Sequence, residues 1–166
     1  MALIMGVSPG NDQSWSWSKI AANRNFCNKI WKIARYVEDQ TGDATGRAGA
    51  APKSAADHWI LESLARAMTK IREDIDAYRF SEAYETLYHF TWDELADWYI
   101  EASKAEPNGP LLAHILETIL VLAHPFAPFV TETIWQTLSW EADSVLAMRS
   151  YQKTLSYDGS KAQDFQ

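Results

Sequence analysis

Apolar residues recur every three or four positions through most of the chain, which is the spacing of one face of an α-helix. The first of these stripes predicts a helix from about Ser16 to Val37, with serines available to cap its beginning. A second stripe, which Ser54 or Asp57 would cap, predicts a helix that ends near Arg79. The residues 38–54 between the two helices are small or polar, so we expect a loop whose part 42–52 is mobile or exposed.

The second half of the chain predicts three more helices. The third begins at Ser81 and presents one apolar face, formed by Tyr84, Leu87, Tyr88, Thr91, Leu95, Trp98, Tyr99 and Ala102. The segment "EPNGP" (106–110) interrupts it, and Pro110 suits the first position of a fourth helix. That fourth helix, "LLAHILETILVLA" (111–123), is apolar nearly all round, so it should be the most buried element.

Prolines predict where the fourth helix ends. Pro125 and Pro128 each lack the amide hydrogen that a continuing helix requires, so the helix should stop or bend between Leu122 and Phe129, with Phe126 and Phe129 folded inward. A fifth helix then runs through Thr131, Ile134, Trp135 and Leu138. The fold class is therefore all-α: an antiparallel bundle of four to five helices over residues 16–140, followed by a partly frayed extension over 141–166.

Composition narrows the class of protein. Cys27 is the single cysteine, and no cluster of cysteine and histidine has the spacing of metal ligands, so we expect neither a disulfide framework nor a metal site. The start of the chain does not match a signal or transit peptide, and no apolar run approaches the length that spans a membrane. We expect a cytoplasmic protein without membrane partners.

Charge is distributed unevenly along the sequence. The net charge is -7, yet every charged residue between positions 13 and 37 is positive, whereas residues 73–106 carry ten acids against two cations. On the first helix a polar face lies opposite the apolar stripe and comprises Asn25, Asn28, Lys29, Lys32 and Arg35. This face is either an ordinary solvated surface or a surface that contacts the phosphates and base edges of an exposed RNA loop.

Three segments carry the most specific pattern of the chain: "NRNFCNKIW" (23–31), "FTWDELADWYIEASK" (90–104) and "HPFAPFVTETIWQTL" (124–138). Their order and spacing resemble the anticodon-binding domain of class I aminoacyl-tRNA synthetases, and within that family the valyl-tRNA synthetases most. The segments "SPGND" and "REDIDAYRFSEAYETLYHF" (72–90) are similar too, so the resemblance covers most of the chain up to about residue 138. Lys32 departs from the pattern, since an asparagine is usual there.

The resemblance implies a bundle that binds the anticodon stem-loop of tRNA with the basic side of its first helix. The expected tRNA-binding residues are Arg24, Asn25, Asn28, Lys29, Lys32 and Arg35, of which the first three lie nearest the bases. Such a face should be free of neutralising partners. We therefore expect few ion pairs between its cations and the acids of the third helix, Asp93, Asp97 and Glu101.

The resemblance also implies a parent enzyme that attaches valine to tRNA using ATP on a separate catalytic domain. The HIGH-type and KMSKS-type signatures of that domain are absent from this sequence, as are glycine-rich phosphate-binding loops. We therefore expect no catalytic residues, no cofactor and no activity in this chain alone. Its partners would be tRNA and the catalytic domain, it would be monomeric, and residues 1–15 would be a severed strip of contact with the catalytic core.

Other interpretations lead to different functions. A helical protein-interaction module would use the acidic third helix as its working surface. The pairs Glu85/His89 and His114/Glu117 have helical spacing but do not supply the Glu-x-x-His motif of a di-iron bundle. Aromatic residues at helical spacing are more often core than stacking platforms, so Trp92, Trp98 and Tyr99 are interpreted as packing residues.

Overall fold

The computed structural model describes residues 16–42, 49–141, 144–150, 155–163 and 165, and all regular structure within these ranges is helical. The order of elements is α1 (Trp17–Thr41), α2 (Ala55–Asp76), α3 (Phe80–His89), a π-helix (Phe90–Tyr99), α4 (Ile100–Ala102), α5 (Gly109–Ala123), α6 (Pro128–Leu138), a 3-10 turn (Leu146–Met148) and α7 (Gly159–Gln163). The predicted all-α bundle is confirmed. Residues 1–15, predicted to be a contact strip, lie outside the described residues.

The first two helices agree with their predicted stripes. Helix α1 continues one turn past Val37, and the amide of Gly42, whose φ is +61°, donates to the carbonyl of Glu38. Of the two predicted caps for α2, Ser54 is the one used: its hydroxyl accepts from the Asp57 amide at 3.1 Å. In the segment 42–52, residues 43–48 are outside the description, and residues 42, 49 and 51 are exposed.

The predicted third helix is continuous but changes its winding. Helix α3 passes into ten residues of π-helix, Phe90–Tyr99, before α4 completes the rod. A π-helix bonds residue i to i+5 and so has a wider turn than the period used for the prediction. The inward face rotates as a result: Trp98 is 65% exposed, contrary to the prediction, whereas Ala96 and Ile100 are buried.

Helix α5 is the most buried element, as predicted. Of its residues only Pro110 is not fully buried. It packs against α1, α3 and α6. At its start, Gly109 allows close approach of the two backbones, since a Cβ there would lie 2.8 Å from the carbonyl oxygen of Gln40.

The interruption after α5 is confirmed, but one of its two phenylalanines points the other way. The helix ends at Ala123 and α6 begins at Pro128. Phe126 is buried and its ring lies 5.5 Å from that of Tyr84, whereas Phe129 is 89% exposed. The inward face of α6 is set by Thr131, and a residue two positions away lies roughly 200° around the helix.

The C-terminal extension is attached to the bundle at two places. Arg149 donates to the carboxylates of Glu117 and Glu141, each at 2.7 Å. Helix α7 packs on α2, where the backbone amide of Asp158 donates to Nδ1 of His58 at 2.9 Å. The weak periodicity after residue 140 did not predict these short helices.

Candidate nucleic-acid interface

Helix α1 has two chemically distinct sides, as its sequence predicts. Phe26 and Ile30 are completely buried, and Cys27 is half-buried, which raises the pKa of its thiol. Arg24, Asn25, Asn28, Lys32 and Arg35 are all exposed. These exposed residues recur at helical spacing and, together with Lys29 on the same face of the helix, form one stripe, which we call the basic stripe.

Buried contacts with α3 fix the orientation of α1. Asn23 accepts a 2.7 Å hydrogen bond from the Tyr84 hydroxyl and donates to the carbonyl of Lys19. Phe26 packs edge-on against Tyr84 and is stacked on Tyr88, with centroids 5.6 and 5.1 Å apart. Burial raises the pKa of Tyr84, so its hydroxyl stays protonated and can donate. These contacts hold the basic stripe on the outer side of the helix.

Three cations of the stripe keep their charge available. Within the described part of the chain, no ion pair involves Arg24, Lys32 or Arg35. Arg35 also borders a shallow groove between α1 and α6 whose lining includes Trp31 and Leu138. The prediction of few ion pairs therefore holds for these residues.

Lys29 is the exception, and the expectation that it would lie open is wrong. Its ammonium donates to Oδ1 of Asp97 at 2.8 Å and lies over the ring of Trp92, 4.9 Å from the centroid. Only 24% of its side chain is exposed. The π-helix accounts for this, because its wider turn brings residues five apart to the same side. The ion pair between Lys29 and Asp97 therefore joins the basic stripe to the acidic π-helix, Phe90–Tyr99.

Trp92 packs against the core, in agreement with its interpretation as a packing residue, but its position beside Lys29 was not predicted. It is half-buried, and its ring is stacked on Tyr88 with centroids 5.5 Å apart and planes 14° apart. The prediction treated it as core, together with Trp98 and Tyr99; only Tyr99 is fully buried. A period of 3.6 residues gives no signal of the change in winding that brings Trp92 beside Lys29.

A second polar cluster is buried at the start of α2. One Asp57 oxygen accepts from the Tyr99 hydroxyl at 2.8 Å, and the other accepts from the Asn108 side-chain amide at 2.7 Å and the Lys53 backbone amide at 2.8 Å. Burial alone would raise the pKa of Asp57, but these hydrogen bonds to the charged form, Asn108 foremost, lower it. The cluster joins α2 to the π-helix and to the start of α5.

The histidine, cysteine and acidic side chains of the domain do not form a metal site in the part of the chain that the structure describes. Among the residues that the structure describes, no group of three or more histidine, cysteine or acidic side chains is placed to hold a metal ion. His89 is hydrogen-bonded to Asp93, and His114 is buried on α5. None of the described helices has the length and apolar character that crossing a membrane requires.

Comparison with known proteins gives three findings. A family model described as the anticodon-binding domain of tRNA ligase matches residues 57–165. A valine–tRNA ligase of Staphylococcus saprophyticus is 39% identical over 96% of this chain and 20% of its own length, and one of Geobacillus kaustophilus is 39% identical over 86% of this chain and 18% of its own. The crystal structure of a ternary complex of LeuRS, tRNA and LeuAMS from Agrobacterium radiobacter K84 shares the fold, with a TM-score of 0.75 at 18% identity over 98% of this chain and 19% of that one. The chain thus spans about a fifth of the length of the curated relatives it matches.

Proposed function

Because this chain belongs to the anticodon-binding domain family of tRNA ligases, we propose that it recognises the anticodon stem-loop of tRNA as a domain of a valine–tRNA ligase. The valine assignment rests on the two relatives at 39% identity. The ATP-dependent attachment of valine to tRNA would be catalysed by a separate domain, since this sequence contains neither the HIGH-type nor the KMSKS-type signature. We further propose that the domain acts as a monomer in the cytoplasm.

The observation that carries the proposal is the open basic stripe on a rigidly held helix. Guanidinium and ammonium groups attract phosphates, and the exposed side-chain amides of Asn25 and Asn28 have both donors and acceptors for base edges. Unpaired loop bases expose those edges, whereas the deep and narrow major groove of an A-form RNA helix keeps the edges within it out of reach of side chains. In this arrangement Arg24, Asn25 and Asn28 lie nearest the bases, while Lys32 and Arg35 contact the backbone. Lys29 contacts the RNA only after its ion pair with Asp97 has broken.

The interaction-module alternative receives no support from the comparisons. The acids of the third helix are also partly engaged within the domain: Asp97 with Lys29, Asp93 with His89 and Glu101 with Lys104. These contacts leave the basic stripe as the better candidate for a working surface.

A binding titration tests the proposal directly. We expect a tRNA with a valine anticodon to bind more tightly than the same tRNA with that anticodon altered. Arg24→Glu should weaken the affinity for the valine tRNA by at least about tenfold, because it removes a phosphate or base contact and adds a repelling charge.

Arg72→Glu is the matched control. It changes the net charge equally at another exposed arginine, on α2. Both variants should retain the helical circular dichroism of the parent domain. Equal affinity of the parent and Arg24→Glu would show that Arg24 is not part of the binding site. Equal losses of affinity in both variants would show that only the net charge of the domain matters.

A further inference from the structure

Three aromatic rings lead from the core of the bundle towards the basic stripe. Phe26 is fully buried, Tyr88 is stacked on it at 5.1 Å with a 29° angle, and Trp92 is stacked on Tyr88 at 5.5 Å with a 14° angle. The outermost ring is only half-buried. Such a ladder is fixed at its inner end and presents a flat aromatic surface at its outer end.

The ring of Trp92 is covered by a cation that is itself held in place. The Lys29 ammonium lies over the ring and is bonded to Asp97, five residues after Trp92. The π-helix is what allows one lysine to reach both groups. π-Helical turns are rare and are frequently found at functional sites.

The ion pair that holds Lys29 over Trp92 is weak compared with the stacking of a nucleic-acid base on the same ring. The Lys29 and Asp97 side chains are 24% and 51% exposed, and solvent-exposed ion pairs strengthen an equilibrium by about fivefold at most. Stacking of a nucleic-acid base on an aromatic side chain strengthens binding by roughly five- to a hundredfold. Lys29 also lies one helical turn from Asn25 and from Lys32, so a lysine released from Asp97 is already within the basic stripe.

We propose that Trp92 is a stacking surface for an unpaired base of the bound RNA, and that Lys29 is a latch that leaves the ring when RNA binds. In the free domain Lys29 covers Trp92 and neutralises Asp97. In the complex its ammonium contacts a phosphate, and a base takes its place over the indole. This inference rests on the proposed function, since it assumes that the basic stripe binds an RNA loop.

Substitution of the ring tests the stacking surface. With an RNA stem-loop that carries the valine anticodon, Trp92→Leu should weaken binding by about tenfold, and Trp92→Phe, which keeps an aromatic face, should weaken it less. Trp98→Leu is the matched control, because Trp98 is an exposed tryptophan of the same π-helix. Its affinity should equal that of the parent. Parent affinity in Trp92→Leu, or equal losses in the leucine variants of both tryptophans, would overturn the stacking surface.

Release of the latch gives a second test that leaves Trp92 intact. Asp97→Asn removes the partner of Lys29, so it should tighten RNA binding several-fold. Asp93→Asn removes the same charge from the same helix but leaves the Lys29–Asp97 pair untouched, since Asp93 is bonded to His89. Equal tightening in both variants would show that only the net charge matters, and no tightening in Asp97→Asn would show that Lys29 is not a latch.

The failure of this inference is distinguishable from the failure of the proposed function. If Arg24→Glu loses binding while the variants of Trp92 and Asp97 behave like the parent, the domain binds RNA without the stacking surface. If the parent domain binds no RNA at all, both proposals fall. A 2-aminopurine placed in turn at each unpaired loop position adds a spectroscopic readout: its fluorescence should be quenched at one position in the parent and not in Trp92→Leu.

Discussion

At the scale of single residues, Asp57 is a buried carboxylate whose hydrogen-bond donors are all uncharged groups. It accepts hydrogen bonds from the Tyr99 hydroxyl, the Asn108 amide and the Lys53 backbone amide. Charge-assisted hydrogen bonds of this kind are stronger than neutral ones and offset the cost of burying a charge. Asp57 therefore connects three separate segments of the fold through one side chain.

Asp57→Asn should destabilise the domain by about 1–3 kcal/mol, although it changes the shape of the side chain very little. The NH2 group that replaces one carboxylate oxygen can only donate, so the hydrogen bonds that this oxygen accepts are lost, and the remaining ones lose the assistance of the negative charge. Chemical denaturation at pH 7 measures the loss. Asp76→Asn, at an exposed position of the same helix, should change stability by less than about 0.5 kcal/mol, and equal losses in the two variants would contradict the role of the cluster.

The same carboxylate predicts a dependence of stability on pH. Its pKa is lowered in the folded state relative to the ordinary value of about 3.9, so the unfolded chain binds the proton more readily. The stabilisation by Asp57 is thus complete above that ordinary value and is lost as the pH falls through the lower, folded-state pKa. The stability difference between the parent and Asp57→Asn should be largest near neutral pH and shrink below pH of about 4. A difference that stays constant down to acid unfolding would rule out this linkage.

At the scale of elements, the connection between α5 and α6 is set by two phenylalanines with opposite environments. Phe126 fills the space beside Tyr84, whereas Phe129 projects from the first turn of α6 into solvent. The two residues are three positions apart, but the helix boundary lies between them. Their contributions to stability should therefore differ sharply.

Phe126→Ala should cost about 3–5 kcal/mol because it leaves a cavity in the core. Phe129→Ala should stay within about 0.5 kcal/mol of the parent. Thermal or urea unfolding of the pair measures both values under identical conditions. A large loss in Phe129→Ala would mean that this ring packs against the bundle in solution.

The sequence predicted the helices well where local signals decide them. The caps, the prolines and the apolar stripes set the existence of α1, α2, α5 and α6 and the position of the interruption. It did not predict the π-helix, because the apolar spacing that identifies an α-helix gives no signal of the wider turn. Since the π-helix determines the partners of Lys29, the one closed position of the candidate site was missed for the same reason.

At the scale of the whole molecule, α1 concentrates uncompensated positive charge in an otherwise acidic chain. The net charge is -7, yet α1 presents five cations and no acid up to residue 37. The Lys29–Asp97 pair marks the place where this basic region meets the acidic helix. Binding of an RNA at the stripe should therefore release counterions from the RNA.

Binding through this stripe should weaken steeply with added salt. With about four cations in contact with phosphates, raising the salt from about 50 to about 200 mM should reduce the affinity by roughly fifty- to 150-fold. Filter binding at several salt concentrations gives the slope, and Arg35→Ala should make it shallower by about one. A slope near zero would favour a largely apolar partner surface in place of RNA.

The concentration of uncompensated positive charge on one stripe also affects the way a nucleic acid first meets this domain. Most of the surface of an acidic chain repels a polyanion, so approaches from those directions end without contact. An RNA that arrives at the basic stripe is attracted within a screening length of about 8 Å. Productive encounters are thereby selected by orientation before any base is read, and the same repulsion limits the time that the domain spends on unrelated nucleic acids.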